Sequence, residues 1–163
     1  MNGDAVAEAT AKPEAPRLPP RWVIRFIWRG HRLLYRGTAG RLGLRRPRPG
    51  KAAGMLRLRT IGRRSGVERA VMLCYFESGA SLVTLAMNGW GSDDPAWWLN
   101  LQARPDASVD TVHGTRPVRA RAATADERRA LWPRFADFPG WGDIDSFVAA
   151  RERPTAVVVL EPR

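Results

Sequence analysis

The sequence predicts a mainly β (α+β) domain, a small antiparallel barrel of about six strands with peripheral helices. Three observations predict it. Short runs with the period-two alternation of a half-buried strand recur between residues 55 and 122. Turn signals such as Gly62 to Gly66 and Gly114 separate them closely enough for hairpins. The helical stretches are short and few, which suits a barrel better than a doubly wound sheet.

At 163 residues the chain is long enough for one ordinary domain with its own core, preceded here by a tail. Residues 1–20 are rich in Ala, Pro and polar residues and too poor in apolar side chains to offset ordering entropy, so they read as a disordered tail. Over residues 21–36, Arg21, Arg25, Arg29, Arg32 and Arg36 fall on one helical stripe, with Val23, Phe26, Ile27 and Leu34 opposite and Trp22, Trp28 and Tyr35 at the borders. That is a basic amphipathic helix. A surface helix packed on its own domain and a helix docked on an anionic membrane both account for it. Residues 37–53 form an Arg, Pro and Gly connector to the barrel domain, residues 54–163.

Within that domain Met55 to Thr60 alternates apolar and basic residues as a first strand, and Arg69 to Phe76 follows the turn as its hairpin partner. Ser81 to Met87 supplies a third strand. The irregular loop Asn88 to Asp94 ends at Pro95, which suits a first helical turn, so Ala96 to Ala103 reads as a short helix. Strands at about Ser108 to His113 and Arg116 to Ala122 flank Gly114. Thr124-Ala125-Asp126-Glu127 has the form of a capping box, which starts a helix running towards Phe135 with a disturbance at Pro133. The apolar, β-branched run Ala156 to Leu160 closes the domain as a buried strand.

The formal charge of +11 is almost all arginine, because Lys12 and Lys51 are the only lysines. From Arg17 to Val67 there is no acidic residue, so this side of the chain presents a positive field suited to anionic partners. No nucleic-acid module accompanies the field, and nucleic acid is not an expected partner. The single cysteine excludes an internal disulfide, and His31 and His113 stand apart from any ligand set, so no metal is expected. No apolar run approaches the roughly 18 residues that span a bilayer, and Met1 to Glu14 lacks the build of a signal peptide. The expectation is a cytoplasmic protein, with residues 21–36 as the point of contact if it sits on the inner face of the cell membrane.

Gly62-Arg63-Arg64-Ser65-Gly66 is the sharpest candidate site. Its glycines let the backbone turn with positive φ, and two guanidinium forks and a hydroxyl add donors for phosphate or carboxylate. Spacing alone also fits a solvated tight turn. The turn is not a Walker A loop, and no GxGxxG or GxSxG motif occurs. Cys74, inside an apolar strand, reads as a core thiol or cavity wall rather than a nucleophile. Trp90, Trp97, Trp98, Trp132 and Trp141 fall near loops that would rim the barrel, where they suit a core or a flat aromatic ligand.

Taken together, Leu58 to Gly66, Ala86-Met87-Asn88-Gly89, Pro95-Ala96-Trp97-Trp98-Leu99-Asn100-Leu101 and Val157 to Pro162 resemble the deazaflavin-dependent nitroreductase and quinone reductase family over roughly Gly54 to Pro162. The resemblance implies a split β-barrel of the FMN-binding, flavin-reductase type that binds coenzyme F420 and uses its reduced form to pass hydride to quinones or other conjugated acceptors. Carried over by position, Arg63, Arg64, Ser65 and Arg69 would hold the phosphate and glutamyl tail, while Met72, Cys74, Met87, Asn88, Gly89 and Asn100 would line ring and linker. Met72 departs from the proline usual there. Trp28, Phe138, Trp141 and Ile144 are the acceptor-side candidates. Where relatives carry tyrosines this segment has Phe138, Trp141 and Ile144, so a hydrophobic quinone fits better than a nitro compound. No catalytic side chain is assigned. Homodimers are common in the family. The alternative is a non-catalytic carrier of F420, flavin, haem or fatty acid on the same barrel.

Overall fold

The computed structural model describes residues 43–87, 93–139, 141, 144–149, 151 and 153–163. The tail, the basic helix with Trp28, most of the connector's first part, and Asn88 to Trp90 lie outside the described residues.

Six strands are present: β1 (Gly54–Ile61), β2 (Glu68–Ser78), β3 (Ser81–Leu85), β4 (Asp106–Thr111), β5 (Gly114–Ala122) and β6 (Val157–Pro162). They close into an antiparallel barrel in the order β1-β2-β3-β6-β5-β4, with β4 returning to β1. The expected barrel class and strand number hold. The β4–β5 hairpin turns two residues earlier than expected, because β4 starts at Asp106, opposite Arg119, and ends at Thr111. β3 ends at Leu85, short of the expected Met87, as Ala86 turns its N–H to the Ala156 carbonyl (2.9 Å).

Alternation along each strand sorts the side chains into two cores. Leu56 and Leu58 of β1, Leu82 of β3, Val109 of β4, Val118 and Ala120 of β5 and Val158 and Leu160 of β6 fill the barrel. Helix α1 (Ala96–Ala103) adds Trp97, Trp98 and Leu101 to the same core. Phe76, Val83, Leu85, Val157 and Val159 point outward and are covered by Leu131, Phe135, Phe138 and Ile144. These come from α2 (Ala125–Leu131), the 3-10 turn Pro133–Asp137, the segment after it, and α3 (Ile144–Ala149). β6 is therefore buried on both faces, which is why its sequence is a continuous apolar run rather than an alternating one.

The capping box forms as read: Thr124 Oγ1 accepts from the Glu127 N–H (3.3 Å) and Glu127 accepts from the Thr124 N–H (2.8 Å). Pro133, which lacks an N–H, separates α2 from the 3-10 turn. The end of the connector is a strap rather than a loose linker. Arg45 and Met55 exchange backbone bonds (3.1 and 2.8 Å), and Gly50 and Ala53 donate to the carbonyls of Asp137 and Pro139 (2.7 and 3.0 Å).

The feature that positions the site is a gap. β2 pairs with β1 along Glu68 to Tyr75 but with β3 only along Phe76 to Ser78. Its first half therefore has one edge with no strand partner among the described residues.

Candidate functional site

A cleft of about 760 Å³ runs along that edge. The turn between β1 and β2 forms one end. Gly62 donates to the Val67 carbonyl (2.9 Å) and Gly66 donates back to Gly62 (2.8 Å), with Gly66 in the left-handed region at φ +66°. A Cβ on Gly62 would stand 2.7 Å from Ser65 Oγ and 3.1 Å from the Val67 carbonyl, so only glycine lets the turn close this tightly. Arg63, Arg64 and Ser65 are exposed on the turn, and with Arg69 they line the cleft.

Those three guanidinium groups make no ion pair with any of the described residues. Two nearby arginines are already engaged. Asp110 takes a forked pair of bonds from Arg59 (2.8 and 2.9 Å to Nη2), a hydrogen bond from Thr115 Oγ1 (2.6 Å) and an ion pair from Arg57 (3.5 Å). Burial pushes the Asp110 carboxyl up, but the Thr115 hydroxyl and the Arg59 and Arg57 charges outweigh it and hold the group below the usual carboxylate range. The cationic groups turned to the cleft are thus Arg63, Arg64 and Arg69.

The middle of the cleft is backbone. The Thr84 hydroxyl donates to the Cys74 carbonyl (2.8 Å), which fixes that carbonyl on the edge away from β1. Because polar groups alternate sides along a strand, Ala70 and Met72 turn their N–H and C=O groups to the same edge. Donors and acceptors in a rigid row suit the hydrogen-bonding side of a flat heterocycle.

The end away from the turn is apolar and rich in sulfur, with Met72, Cys74, Leu85, Met87 and Trp141, and Trp97 of α1 also lines the cleft. Burial raises the Cys74 thiol above its ordinary value more than Arg45 lowers it, and its Sγ lies 3.4 Å from Met55 Sδ. A neutral thiol against a thioether is a wall, not a nucleophile.

Of the coenzyme-side residues named from the sequence, Arg63, Arg64, Ser65, Arg69, Met72, Cys74, Met87 and Asn100 line this one cleft; Asn88 and Gly89 lie outside the described residues. Asn100 lines the cleft and is bonded to the hairpin as well. It is buried, its Oδ1 accepts from the Arg63 N–H (3.0 Å), and its Nδ2 donates to Thr60 Oγ1 (3.2 Å).

The acceptor-side expectation needs correction. Trp141 lines the apolar end, set edge-to-face against Phe135 (5.0 Å, 88°). Phe138 instead stacks on Phe76 (5.3 Å, 3°) and Ile144 joins the same outer core. Both fill the space between the barrel and its helices, because β6 and β2 need cover on that face. Trp132, expected near a rim, donates to Asp145 Oδ1 (3.0 Å) and carries Arg128 over its ring. Sequence reading missed the edge groups of Ala70 and Met72 and the wall formed by Leu85, since neither which strand edge stays open nor which apolar residue borders the opening shows in local pattern.

The profile of the F420H(2)-dependent quinone reductase family matches residues 27–162. A putative F420H(2)-dependent quinone reductase of Mycobacterium tuberculosis is 34% identical over 121 residues, covering 74% of this chain and 96% of that one. An F420H(2)-dependent quinone reductase of the same organism is 34% identical over 149 residues, covering 88% and 97%. Among solved structures, a domain-swapped dimer superposes with a TM-score of 0.61 at 25% identity, covering 85% of this chain and 98% of that one. An F420-H2 dependent reductase superposes with a TM-score of 0.58 at 25% identity, covering 66% and 93%. With a profile that spans most of the chain and relatives matched along nearly their whole length, the chain belongs to the F420H(2)-dependent quinone reductase family.

Proposed function

We propose that the protein uses reduced coenzyme F420 to reduce hydrophobic quinones, and that the cleft along β2 is where coenzyme and acceptor meet. The observation that carries this reading is the division of that cleft into three parts. Arg63, Arg64 and Arg69 crowd one end, edge amides and carbonyls occupy the middle, and sulfur and indole line the other end. The coenzyme divides the same way, into an anionic phosphate and glutamyl tail and a flat heterocycle, so the residues present fit it.

When bound, the reduced coenzyme supplies a hydride, and with the accompanying proton the quinone becomes a quinol. The chain's own part is binding and orientation. The arginines anchor the tail, the Ala70 and Met72 edge groups fix the ring's rotation, and Met87, Leu85 and Trp141 keep water from the reacting face. No titratable side chain among the described residues stands in the apolar end except the neutral Cys74, so proton delivery falls to coenzyme and solvent.

Titration of the purified protein with oxidised F420, followed by the coenzyme's fluorescence, tests the site. Saturable quenching that weakens as salt rises is expected, and no change at micromolar coenzyme overturns the reading. Binding with no oxidation of the reduced coenzyme by any quinone would instead favour a carrier.

We further infer a homodimer in the cytoplasm, with residues 21–36 meeting an anionic membrane where the quinone is dissolved. The dimer is supported by the domain-swapped relative, the membrane contact by the arginine stripe of that segment alone.

A further inference from the structure

Asn100 sits on the second turn of α1, yet both ends of its side chain reach into the β1–β2 hairpin. Both Asn100 and Thr60 border the cleft, but Asn100 is 5% exposed and Thr60 2% exposed, so little of either side chain is left for a ligand. Its acceptor oxygen is turned to the Arg63 N–H and its amide to the Thr60 hydroxyl. A carboxamide accepts from a backbone amide through its oxygen while its nitrogen, on the other arm, donates to a hydroxyl. Leucine would fill the space and do neither. Aspartate would accept from both but place a negative charge under the tail site.

We propose that Asn100 is a positioning residue that acts on the coenzyme through the turn: it locks the Arg63 backbone, and thereby the direction in which Arg63 and Arg64 present their guanidinium groups. The glycines that let the turn close also let it open, because Gly62 and Gly66 restrict their backbone least of all residues. Held by the Gly62–Val67 and Gly66–Gly62 bonds and the longer Val67 N–H to Ser65 Oγ contact (3.4 Å), all internal to the turn, the exposed turn would sample several directions, and each binding event would then have to order it. The Asn100 clamp orders it beforehand, tying the coenzyme's tail site to the same helix that supplies Trp97 to the barrel core and the cleft wall.

The inference rests on the F420 reading, and two ligands separate its failure from the failure of that reading. Asn100→Ala and Thr60→Val are compared with the unaltered protein for binding of F420 and of the deazaflavin ribityl fragment that lacks phosphate and glutamates. Asn100→Ala is expected to weaken F420 about tenfold, the effect of one well-formed hydrogen bond, and to leave the fragment unchanged. Thr60→Val, which keeps the side chain's shape and removes only the hydroxyl, is expected to weaken F420 selectively by about threefold. Amide exchange at Arg63, measured without any ligand, should be slow in the unaltered protein and fast in Asn100→Ala. Equal loss for both ligands overturns the proposal. So does a slow Arg63 amide in Asn100→Ala, or Thr60→Val binding F420 as the unaltered protein does while Asn100→Ala does not, since Asn100 would then touch the coenzyme itself. Failure of the unaltered protein to bind F420 at all overturns the function and the proposal's coenzyme half, while Arg63 exchange still reports whether the clamp exists.

Discussion

Side chains of one chemical type do different work here depending on what surrounds them. Arg57 and Arg59 serve the fold, bound to Asp110 on the outer face of the barrel, whereas Arg63, Arg64 and Arg69 are turned to the cleft. Replacing Arg63 or Arg64 with alanine should weaken F420 about tenfold each and flatten the salt dependence of binding, without lowering the melting temperature, as expected for charge-assisted bonds to an anionic tail. Asp110→Ala should do the reverse: F420 binding held, stability lower by about 2 kcal/mol in urea unfolding, because the charge-assisted bonds from Arg59 and Thr115 to this carboxylate are lost. Its pH dependence has a fixed sign. A carboxyl held low in the folded state contributes stability above its unfolded value, so the Asp110 contribution is complete at neutral pH and fades as acid takes the solution down through the folded value. The aromatic pair Phe138 and Trp141 divides in the same manner. Phe138→Ala should cost about 3 kcal/mol of stability by opening a hole beside Phe76, with KM for quinone little altered. Trp141→Ala should raise KM for quinone at a smaller cost in stability. The reading of Phe138 as acceptor-side was wrong because an aromatic near a rim reveals its apolarity, not which of two apolar surfaces it joins.

Elements were legible where local chemistry decides them. The capping box gave the start of α2, the double-sided burial of β6 shows as an unbroken apolar run, and α1 follows from Pro95 and the Ala96 to Ala103 composition. The ends of β3 and β4 were misjudged by two residues because pairing partners, not propensity, set them. α3 carries a weaker signal, the acidic Asp143 and Asp145 that mark a helix start in the sequence, over only six residues. The capping box is also an anchor. Arg121 bridges Glu127 at the start of α2 and Glu161 at the end of β6 (2.6 and 2.8 Å). The Arg121 and Thr124 bonds hold the Glu127 carboxyl down to about 2, so this anchor stays intact in acid until near that pH. Thr124→Ala should cost about 1 kcal/mol in thermal or urea unfolding, the usual worth of an N-cap.

For the whole molecule, the barrel closes on all sides in strand order and yet opens locally, because β2 outruns β3 as a partner. That opening is the proposed ligand site, and it is not legible in the sequence: Ala70 to Leu73 reads as an ordinary strand, and only its neighbours' lengths leave one edge without a strand partner among the described residues. The basic turn was legible because its glycines and arginines are contiguous. The arginine stripe of residues 21–36 belongs to this scale as well. Removal of residues 1–36 should abolish cosedimentation with anionic liposomes and leave F420 binding intact; unchanged sedimentation would refute a membrane role for the segment.

In the proposed function one cleft brings F420 and a quinone together for hydride transfer. Its most direct measurement is a single-turnover mixture of the protein, reduced F420 and a menaquinone-like quinone without air, followed by the return of the oxidised coenzyme's absorbance. One oxidised coenzyme formed per quinol, at a rate that saturates with quinone and falls in Trp141→Ala, is the predicted result. Tight binding of the reduced coenzyme with no faster oxidation than in protein-free buffer, across the quinones tried, would contradict it.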